Sequence, residues 1–447
     1  MSSERKALVV LIDSARRHET HAAFADARLP ALAGAARATM IAPSCWTLPC
    51  VTSTLTGLFP TEHGMTWGRL GGPCEAPTVA DLLRAAGRSF RLLTGNHVYA
   101  PPVIDLPEQC LSISRMKRVP QATFLARALG LADYGGRRIV SEVRRMAESG
   151  DLPDLLLVHL QEAHHPYLPP PSGIDPAVRG RYAIGHLAYY LRTSAQAWEF
   201  AATADEGAWE IQRERYRECL RYAVRCAEEI LRAYDRADAL HETLVVITAD
   251  HGEHLGEHGL ADHQGSLNEE LIDCPCALIA PGVEPESVVP GQFQHTDLLY
   301  TICRYLEVPV AGYAPAAPPR DMLDGAGRDY AFSEWTSWGR ENLATLARRN
   351  PSYDFAPLDR DLMAVRTDRW KYIVGGDGSE MLFDLQQEPG ETRDRRHDRR
   401  TIADELRGRL HDWRSTVGAR ASALTAAGPG RDDEGIGARR LRDLGYI

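Results

Sequence analysis

The chain has 447 residues, of which 44% are hydrophobic and 25% are charged. This is the composition of a globular protein, and it excludes a disordered, a collagen-like or a small disulfide-stapled chain. Its 51 Lys and Arg against 61 Asp and Glu give a formal net charge of −10. That charge argues against sequence-independent nucleic-acid binding, which needs a basic face, but allows an anionic small substrate beside a bound metal ion.

The first three quarters of the sequence alternate between apolar runs and amphipathic stretches. Continuous apolar runs predict buried strands at residues 7–12, 90–94, 154–160, 243–248 and 276–280. Helices are predicted at residues 78–86, which end at Gly87, and along residues 206–240. Strands that alternate with helices predict an α/β fold with a mostly parallel central sheet flanked by helices.

The pattern changes after about residue 325. Short strands are predicted at residues 362–366, 370–374 and 381–385, with a hairpin signal at Asp377-Gly378 and an amphipathic helix at 401–417. We therefore predict a catalytic α/β domain at 1–325 and a small C-terminal subdomain at 326–423, made of an antiparallel sheet plus a helix. Residues 424–447 are predicted to form a tail that packs on or near the core.

The sequence also carries signals about compartment. The apolar run at residues 7–12 is too short for the core of a signal peptide, and no stretch approaches the roughly 20 apolar residues that span a bilayer. The nine cysteines include no Cys-x-x-Cys pair. We therefore expect a cytoplasmic protein with reduced thiols, no membrane span and no cysteine zinc site.

Acidic and imidazole side chains follow three of the predicted strands. Asp13 follows the first strand, Asp250-His251 follows the strand at 243–248, and Glu162, His164 and His165 follow the strand at 154–160. In open α/β sheets, sites form outside the carboxyl ends of the strands. One such Asp is often only a helix cap, but three clusters on one sheet edge predict a divalent metal site for Zn²⁺, Mn²⁺, Mg²⁺ or Ca²⁺.

A hydroxyl-rich segment at residues 44–64 provides a candidate nucleophile. A hydroxyl at a helix N-terminus is well placed beside an oxyanion, because the backbone N–H groups and the helix dipole bind the anion there. A metal at the same point would lower the pKa of the hydroxyl. Taken alone the signal is weak, since a Ser or Thr before a helix is usually a cap.

Together these motifs resemble the sulfatase-like branch of the alkaline phosphatase superfamily, over nearly the whole chain. The resemblance rests on LVVLIDSAR, SCWTLPCVTSTLTGLFPTEHG, VHLQEAHHPYLPP, VVITADHGEHLGEHG, ADHQGSLNEELIDCPCALIAPG, VRTDRWKYI, LFDLQQEPGETRD and the terminal LRDLGYI. It implies the fold of that superfamily and a metal-dependent hydrolase.

One departure from the sulfatase pattern affects the mechanism. Sulfatases of this family carry a Cys or Ser that is oxidised to formylglycine within a Cys-x-Pro-x-Arg pattern. Counting back from Thr56-Gly57 puts Thr47 at the nucleophile position, Pro49 at the proline and Val51 at the arginine. A threonine cannot become formylglycine. The sequence is in this respect similar to the phosphodiesterases, phosphonate hydrolases and phosphoethanolamine transferases of the superfamily, as is His251, where many sulfatases have Asn.

The resemblance implies a role for each site residue. Asp13, Thr47, Asp250 and His251 would hold the metal, and Thr47 would attack phosphorus to give a covalent phosphothreonine. His164 and His263 would bind phosphoryl oxygens or protonate the leaving group, and Asn96 is a weaker oxyanion donor. We expect one metal site; Glu162, His164 and His263 would supply part of a second.

Three functions remain open from the sequence. The first is a hydrolase or transferase of phosphoesters or phosphonates, the second a sulfate-ester hydrolase that works through Thr47, and the third a non-catalytic protein that binds an oxyanion. The partner is expected to be a small anionic ester, and a homo-oligomer stays open. Residues 98–150 and 168–215 are expected to shape the pocket, where aromatic residues would pack on the substrate or on each other: Tyr167, Tyr182, Tyr189, Tyr190 and Trp198.

Overall fold

A computed structural model describes residues 5–67, 74, 76–96, 110–112, 133–170, 197–310, 315 and 317–426. The strands are β1 (Lys6–Ile12), β2 (Ala36–Ile41), β3 (Phe90–Thr94), β4 (Cys110–Ser112), β5 (Leu155–Leu160), β6 (Thr243–Ala249), β7 (His254–Leu255), β8 (Ala261–Asp262), β9 (Asp273–Cys274), β10 (Cys276–Ile279), β11 (Val288–Gln294), β12 (Ala331–Trp335), β13 (Leu362–Arg366), β14 (Trp370–Gly375) and β15 (Glu380–Asp384).

The helices are α1 (Arg17–Ala25), α2 (Pro30–Ala33), α3 (Thr47–Thr56), α4 (Pro60–His63), α5 (Val79–Ala85), α6 (Gly136–Glu148), α7 (Ala197–Thr203), α8 (Glu206–Arg236), α9 (Glu269–Ile272), α10 (His295–Tyr305), α11 (Arg340–Arg349) and α12 (Arg400–Ala426). Short 3₁₀ turns lie at Leu240–Glu242, Glu257–Gly259, Met322–Asp324 and Ala356–Leu358.

Among the described residues, the central sheet has nine strands, in the order β11-β2-β10-β6-β1-β5-β3-β4, with β9 paired to β2. At its centre β1 runs parallel to β5 and to β6, and Ile12 pairs with Leu160 on one side and with Ala249 on the other. These strands are buried along almost their whole length, as continuous apolar runs require. The carboxyl ends of the three strands therefore meet at one edge of the sheet.

Helices pack against this sheet in two groups. The long α8 contacts α6 and α1, while α3, α5 and α10 contact one another. The predicted α/β fold with a mostly parallel sheet flanked by helices is confirmed. The sheet is mixed, because β10 runs antiparallel to both β6 and β2.

A second, four-stranded antiparallel sheet in the order β12-β13-β14-β15 follows the first. Helix α12 packs on this sheet and forms a separate hydrophobic core with it, which includes Val365, Tyr372, Leu382, Leu406 and Trp413. This is the antiparallel sheet plus helix that the sequence predicts. The domain boundaries stay a prediction, and most of the tail at 424–447 lies outside the described residues. Within the described ranges, no helix is both long and apolar enough to cross a bilayer.

Candidate active site

Three predicted metal ligands lie together at the carboxyl ends of β1 and β6. Asp13, Asp250 and His251 are all fully buried, and their candidate ligand atoms lie within 4.8 Å of one another. The backbone fixes Asp250, whose Oδ1 accepts the N–H of Ser14 at 3.2 Å and of His251 at 2.9 Å. The other oxygen, Oδ2, then lies 3.3 Å from His251 Nε2.

Thr47 is the first residue of α3 and faces this cluster. Its Oγ1 lies 3.2 Å from His251 Nε2, and the residue is almost completely buried. The preceding Trp46 is extended and stacks on Trp67 with ring centroids 4.7 Å apart. The hydroxyl therefore stands where the positive end of the helix dipole and the predicted metal ligands meet.

The C-terminal sheet holds the segment that leads to Thr47. Ser333 Oγ donates to the carbonyl of Ala42 at 2.6 Å, and Glu334 N–H donates to that of Pro43 at 2.9 Å. Ser44 Oγ in turn donates to the carbonyl of Glu334 at 2.7 Å. Strand β12, at the edge of the C-terminal sheet, thus holds residues 42–44, which lead to α3 and the candidate nucleophile Thr47.

The end of the hydroxyl-rich motif has a structural role. Gly57 ends α3 with a φ of 64°, a conformation that favours glycine. His63 lies 3.1 Å from Ser53 Oγ through Nε2, and its Nδ1 accepts the N–H of Met65 at 3.1 Å. Burial lowers the pKa of His63 to about 3, so this histidine is neutral, and it connects α4 to α3 through its contact with Ser53.

The electrostatics of the cluster fit a divalent cation. His251 Nδ1 lies 2.8 Å from the carbonyl of Gly252 and must carry the proton to bond with it. Burial lowers the pKa of His251 to about 4, so its Nε2 presents a lone pair to Asp250 Oδ2. That oxygen is buried, and among the described residues it accepts no well-formed hydrogen bond. Across the same ranges, Asp13 and Asp250 form ion pairs only with histidines, and a cation would compensate both carboxylates.

His263 and His164 continue the site as a row of imidazole rings. The His263 ring lies 4.4 Å from that of His251 and 5.1 Å from that of His164. Its Nδ1 is 2.8 Å from Asp262 Oδ1 and 3.2 Å from Glu253 Oε1. Burial opposes a charge on this ring, but the two carboxylates raise its pKa well above the ordinary value. Both histidines therefore stand beside the cluster, as the sequence predicts, while their roles stay predictions.

Of two further residues that the sequence predicts for the site, Asn96 lies at the cluster and Glu162 does not. Asn96 Nδ2 donates to Asp13 Oδ2 at 3.3 Å, so this amide lies at the cluster. Glu162 is used elsewhere: its Oε1 accepts the N–H of Gly136 at 2.7 Å, and its Oε2 accepts that of Tyr134 at 3.0 Å. It therefore caps the start of α6, which argues against the second metal site that would use it.

Three further residues belong to the site and were not predicted from the sequence. His159, inside β5, lies 3.5 Å from Asp13 Oδ2 and 3.6 Å from Asp250 Oδ2. Burial opposes a proton on this imidazole, while Asp250 and Asp13 raise its pKa. The only signal for it was a polar residue in an otherwise apolar strand. Glu253 was also missed, because only the fold brings it to His263, and Asp262 was missed although it directly precedes His263 in the sequence.

Much of the sequence that is expected to shape the pocket lies outside the residues that the structure describes. Tyr182, Tyr189 and Tyr190 lie outside the described residues, as do 97–109, 113–132 and 171–196. Tyr167 and Trp198 are buried against other aromatic rings, Tyr167 beside Tyr216 and Trp198 beside Trp338, Tyr353 and Phe355. These two residues pack on protein rather than present a face to a substrate.

Comparisons with protein families and curated proteins point to sulfatases. The sulfatase family model matches residues 132–308, a stretch that holds Asp250, His251, His164 and His263 but neither Asp13 nor Thr47. Mouse arylsulfatase K is 28% identical over 184 residues, 38% of this chain and 31% of that protein. A Delta 4,5-hexuronate-2-O-sulfatase of Bacteroides thetaiotaomicron is 28% identical over 173 residues, 37% of this chain and 32% of that protein. The chain thus spans about a third of the length of these curated relatives.

Solved structures share the fold along nearly the whole chain. A protein solved in complex with its substrate D-glucosamine-2-N,6-O-disulfate has a TM-score of 0.68 at 15% identity, and the match covers 93% of this chain and 99% of that one. The phosphonate monoester hydrolase of Silicibacter pomeroyi has a TM-score of 0.63 at 18% identity, covering 99% and 96%. At such identities the likeness concerns the fold alone, which is the sulfatase-like α/β fold with a small antiparallel sheet.

Proposed function

We propose that this chain is a metal-dependent hydrolase of an anionic ester, in the first place a sulfate ester, with Thr47 as the nucleophile. The observation that carries the proposal is the position of Thr47 Oγ1, 3.2 Å from His251 Nε2 in one buried cluster with Asp13 and Asp250. A degenerate protein that only binds an oxyanion would not need a buried hydroxyl beside a complete set of metal-ligand side chains.

Asp13, Asp250 and His251 would hold the cation, and the Thr47 hydroxyl would be a further protein ligand. When bound, the ion lowers the pKa of the Thr47 hydroxyl and offsets negative charge on the oxygens of the transferring group. Asn96 and the N-terminal N–H groups of α3 would orient those oxygens. This preorganisation matters because sulfuryl and phosphoryl transfer depend mainly on positioning and electrostatic stabilisation.

The reaction would proceed in two displacements. Thr47 first releases its hydroxyl proton to solvent. Its oxygen then forms a bond to sulfur or phosphorus, while the bond to the ester oxygen breaks and that oxygen keeps the electron pair. His263 or His164 gives the departing oxygen a proton. In the second displacement, water gives up a proton to the same histidine and attacks the central atom. The Thr47 oxygen then leaves, and the oxyanion product is released.

Different observations favour the two substrate classes. The names of the curated relatives favour a sulfate ester, and the sulfatase family match agrees. The Thr47 hydroxyl favours the phosphoryl or phosphonate class, which the sequence analysis placed first, and the fold is shared with phosphonate monoester hydrolases. A formylglycine hydrate releases sulfate by breaking its own C–O bond. A threonine adduct must instead be released by attack at sulfur or phosphorus, so we retain a phosphoester or phosphonate hydrolase as the second candidate.

Trapping the intermediate would test the function and rank the substrate classes. The protein is mixed briefly with an aryl sulfate, an aryl phosphodiester, an aryl phosphonate monoester or an aryl phosphomonoester, quenched in acid and digested. Accurate-mass spectrometry of the peptide that contains Thr47 then distinguishes a sulfuryl from a phosphoryl adduct, with metal analysis on the same sample. We expect a sulfuryl adduct on Thr47; a phosphoryl adduct would make the second candidate the function.

Variants of one helix provide the controls. Thr47→Ala should abolish turnover and adduct while the protein keeps its metal, and Thr47→Ser should retain both in part. Thr52→Ala is the matched control, because its hydroxyl lies in the same helix but donates to the carbonyl of Leu48 at 2.7 Å. Unchanged turnover in Thr47→Ala would remove Thr47 as the nucleophile, and a protein without bound metal or turnover would favour the oxyanion-binding alternative.

A further inference from the structure

His159 is the one polar side chain of β5 and is completely buried. Its Nε2 lies between the two carboxylates of the candidate active site, 3.5 Å from Asp13 Oδ2 and 3.6 Å from Asp250 Oδ2. Asp250 Oδ2 is also the oxygen that faces His251 Nε2. Two imidazole nitrogens, one from β5 and one following β6, thus approach the same carboxylate oxygen.

The distances distinguish a shared proton from a shared metal ion. An N–H···O hydrogen bond brings the heavy atoms to about 2.7–3.2 Å, and both His159 contacts are longer. Ligands at about 2.0–2.2 Å from a tetrahedral ion stand roughly 3.3–3.6 Å from one another. The His159 contacts fall in that range, beside the 3.3 Å between His251 Nε2 and Asp250 Oδ2.

Ser14, which follows Asp13 in the sequence, donates hydrogen bonds to both carboxylates of the cluster. Ser14 Oγ donates to Asp13 Oδ1 at 3.2 Å, and the Ser14 N–H donates to Asp250 Oδ1. Each carboxylate therefore has one oxygen engaged by Ser14, while His159 lies near the other. The second oxygens keep a lone pair for the cation: among the described residues Asp250 Oδ2 accepts no hydrogen bond, and Asp13 Oδ2 accepts one, from Asn96 Nδ2 at 3.3 Å.

We propose that His159 is a direct protein ligand of the divalent cation, together with Asp13, Asp250 and His251. The four ligands are then two carboxylates and two imidazoles, and the Thr47 hydroxyl is a fifth, which would join when a four-coordinate ion expands to five ligands. Such a donor set selects zinc, manganese, iron or cobalt over magnesium and calcium, which prefer oxygen ligands only. The inference rests on the metal site of the proposed function, and it is independent of which ester the protein hydrolyses.

The number of coordinated imidazoles can be counted without substrate. In protein loaded with Co²⁺, each coordinated histidine gives one hyperfine-shifted, exchangeable N–H resonance in the proton NMR spectrum. His159→Gln should lose one such resonance relative to the unchanged protein. The matched control is His254→Gln, which alters another buried histidine, bonded to Ser266 Oγ at 2.8 Å, and should lose none. An equal count in His159→Gln and the unchanged protein would overturn the proposal.

A reciprocal variant covers the case in which His159→Gln fails to fold. His251→Asn should keep the His159 resonance, and its disappearance together with that of His251 would count against ligation by His159. Zn²⁺ affinity, measured by competition with a chromophoric chelator, should fall at least about 10-fold in His159→Gln. Unchanged zinc affinity would also overturn the proposal, and it would leave the hydrolase function standing. Failure of the unchanged protein to take up Co²⁺ or Zn²⁺ would overturn this ligand role and leave standing a hydrolase that uses Mg²⁺ or Ca²⁺.

Discussion

Two regions of the molecule bury several carboxylates, and they compensate that charge in opposite ways. At the sheet edge, Asp13 and Asp250 face imidazoles and a hydroxyl. Between α9 and the C-terminal sheet, Glu269 and Glu391 surround Lys371, whose Nζ lies 3.0 Å from Glu269 Oε1 and 2.6 Å from Glu391 Oε1.

The second region carries its own cations. Lys371 is completely buried and also donates to the carbonyl of Leu267 at 2.8 Å. Arg366 donates to both oxygens of Glu269, from Nε to Oε1 at 3.2 Å and from Nη2 to Oε2 at 2.9 Å. Although burial opposes ionisation of Glu269, Arg366 and Lys371 lower its pKa to about 2. Each carboxylate of this network has a cationic partner, and the network joins the C-terminal sheet to the segment that follows Asp250 and His251.

The difference shows how a structural charge cluster and a binding site can be told apart. In the network, each anion meets a fixed cation with several donors, so a further ion has no place. At the sheet edge, the His251 lone pair and two carboxylates point at one another, which is unfavourable until a cation binds. Buried carboxylates therefore indicate a structural contact beside the C-terminal sheet and a candidate metal site at the edge of the central sheet.

The largest effect is expected from Asp250→Asn at the sheet edge. The amide keeps an oxygen but loses the charge that the cation needs, so bound metal should be lost. Loss of several kcal/mol of electrostatic stabilisation corresponds to a fall of roughly 10³-fold in kcat/KM. Metal content by mass spectrometry and turnover of an aryl sulfate or phosphoester measure the two effects.

The same variant should also change the stability of the metal-free protein. With the metal removed by a chelator, Asp250→Asn should unfold at a higher urea concentration than the unchanged protein, because one of the two buried carboxylate charges at the sheet edge is gone. Added Zn²⁺ should stabilise only the unchanged protein. If the metal-free variant is instead the less stable of the two, the cluster is already compensated and its contrast with the network disappears.

The next largest effect is expected from Lys371→Met in the network. Removal of a buried cation leaves Glu269 and Glu391 facing each other, which should destabilise the fold by about 3–5 kcal/mol. Urea unfolding followed by circular dichroism measures the change. Arg407→Ala is the control, because Arg407 pairs with Glu380 at the surface of the same subdomain and should change stability by less than about 1 kcal/mol. A loss in Lys371→Met no larger than that of the control would show that the network is not what joins the two parts.

The sequence predicted the sheet and most of the site because both depend on local patterns. The apolar runs of β1, β5 and β6 and the polar residues after them follow directly from the order of residues, and they predicted Asp13, Asp250 and His251. The burial of Lys371 could not be predicted: a Lys after a turn in a short strand suggests a surface position. The reversed direction of β10 and the contact of His159 with two carboxylates likewise depend on how distant segments pair. Such properties belong to the assembled sheet and leave no trace in any one motif.

Glu334 is an intermediate case between the two regions, and it yields the smallest effect. Its carboxylate accepts hydrogen bonds from the Thr61 N–H at 2.8 Å and from the Thr61 hydroxyl, and within the described part of the chain it forms no ion pair. Burial raises its pKa to about 7. Between about pH 4.5 and 7 the folded state therefore holds a proton that the unfolded state has lost, so stability falls as the pH rises through this window.

Glu334→Gln should remove this pH dependence, since the amide can accept the Thr61 N–H without a charge. At pH 8 the variant should exceed the unchanged protein by up to about 3 kcal/mol, because one unit of pKa shift corresponds to about 1.4 kcal/mol. At pH 4.5 the two should unfold at nearly the same urea concentration, and the exposed Glu307→Gln should match the unchanged protein at both values. An equal gain at pH 4.5 and pH 8 would mean that hydrogen bonds to neutral donors compensate a buried carboxylate as fully as Lys371 and Arg366 do. The lack of a Lys or Arg partner at the sheet edge, among the residues that the structure describes, would then no longer indicate a metal site.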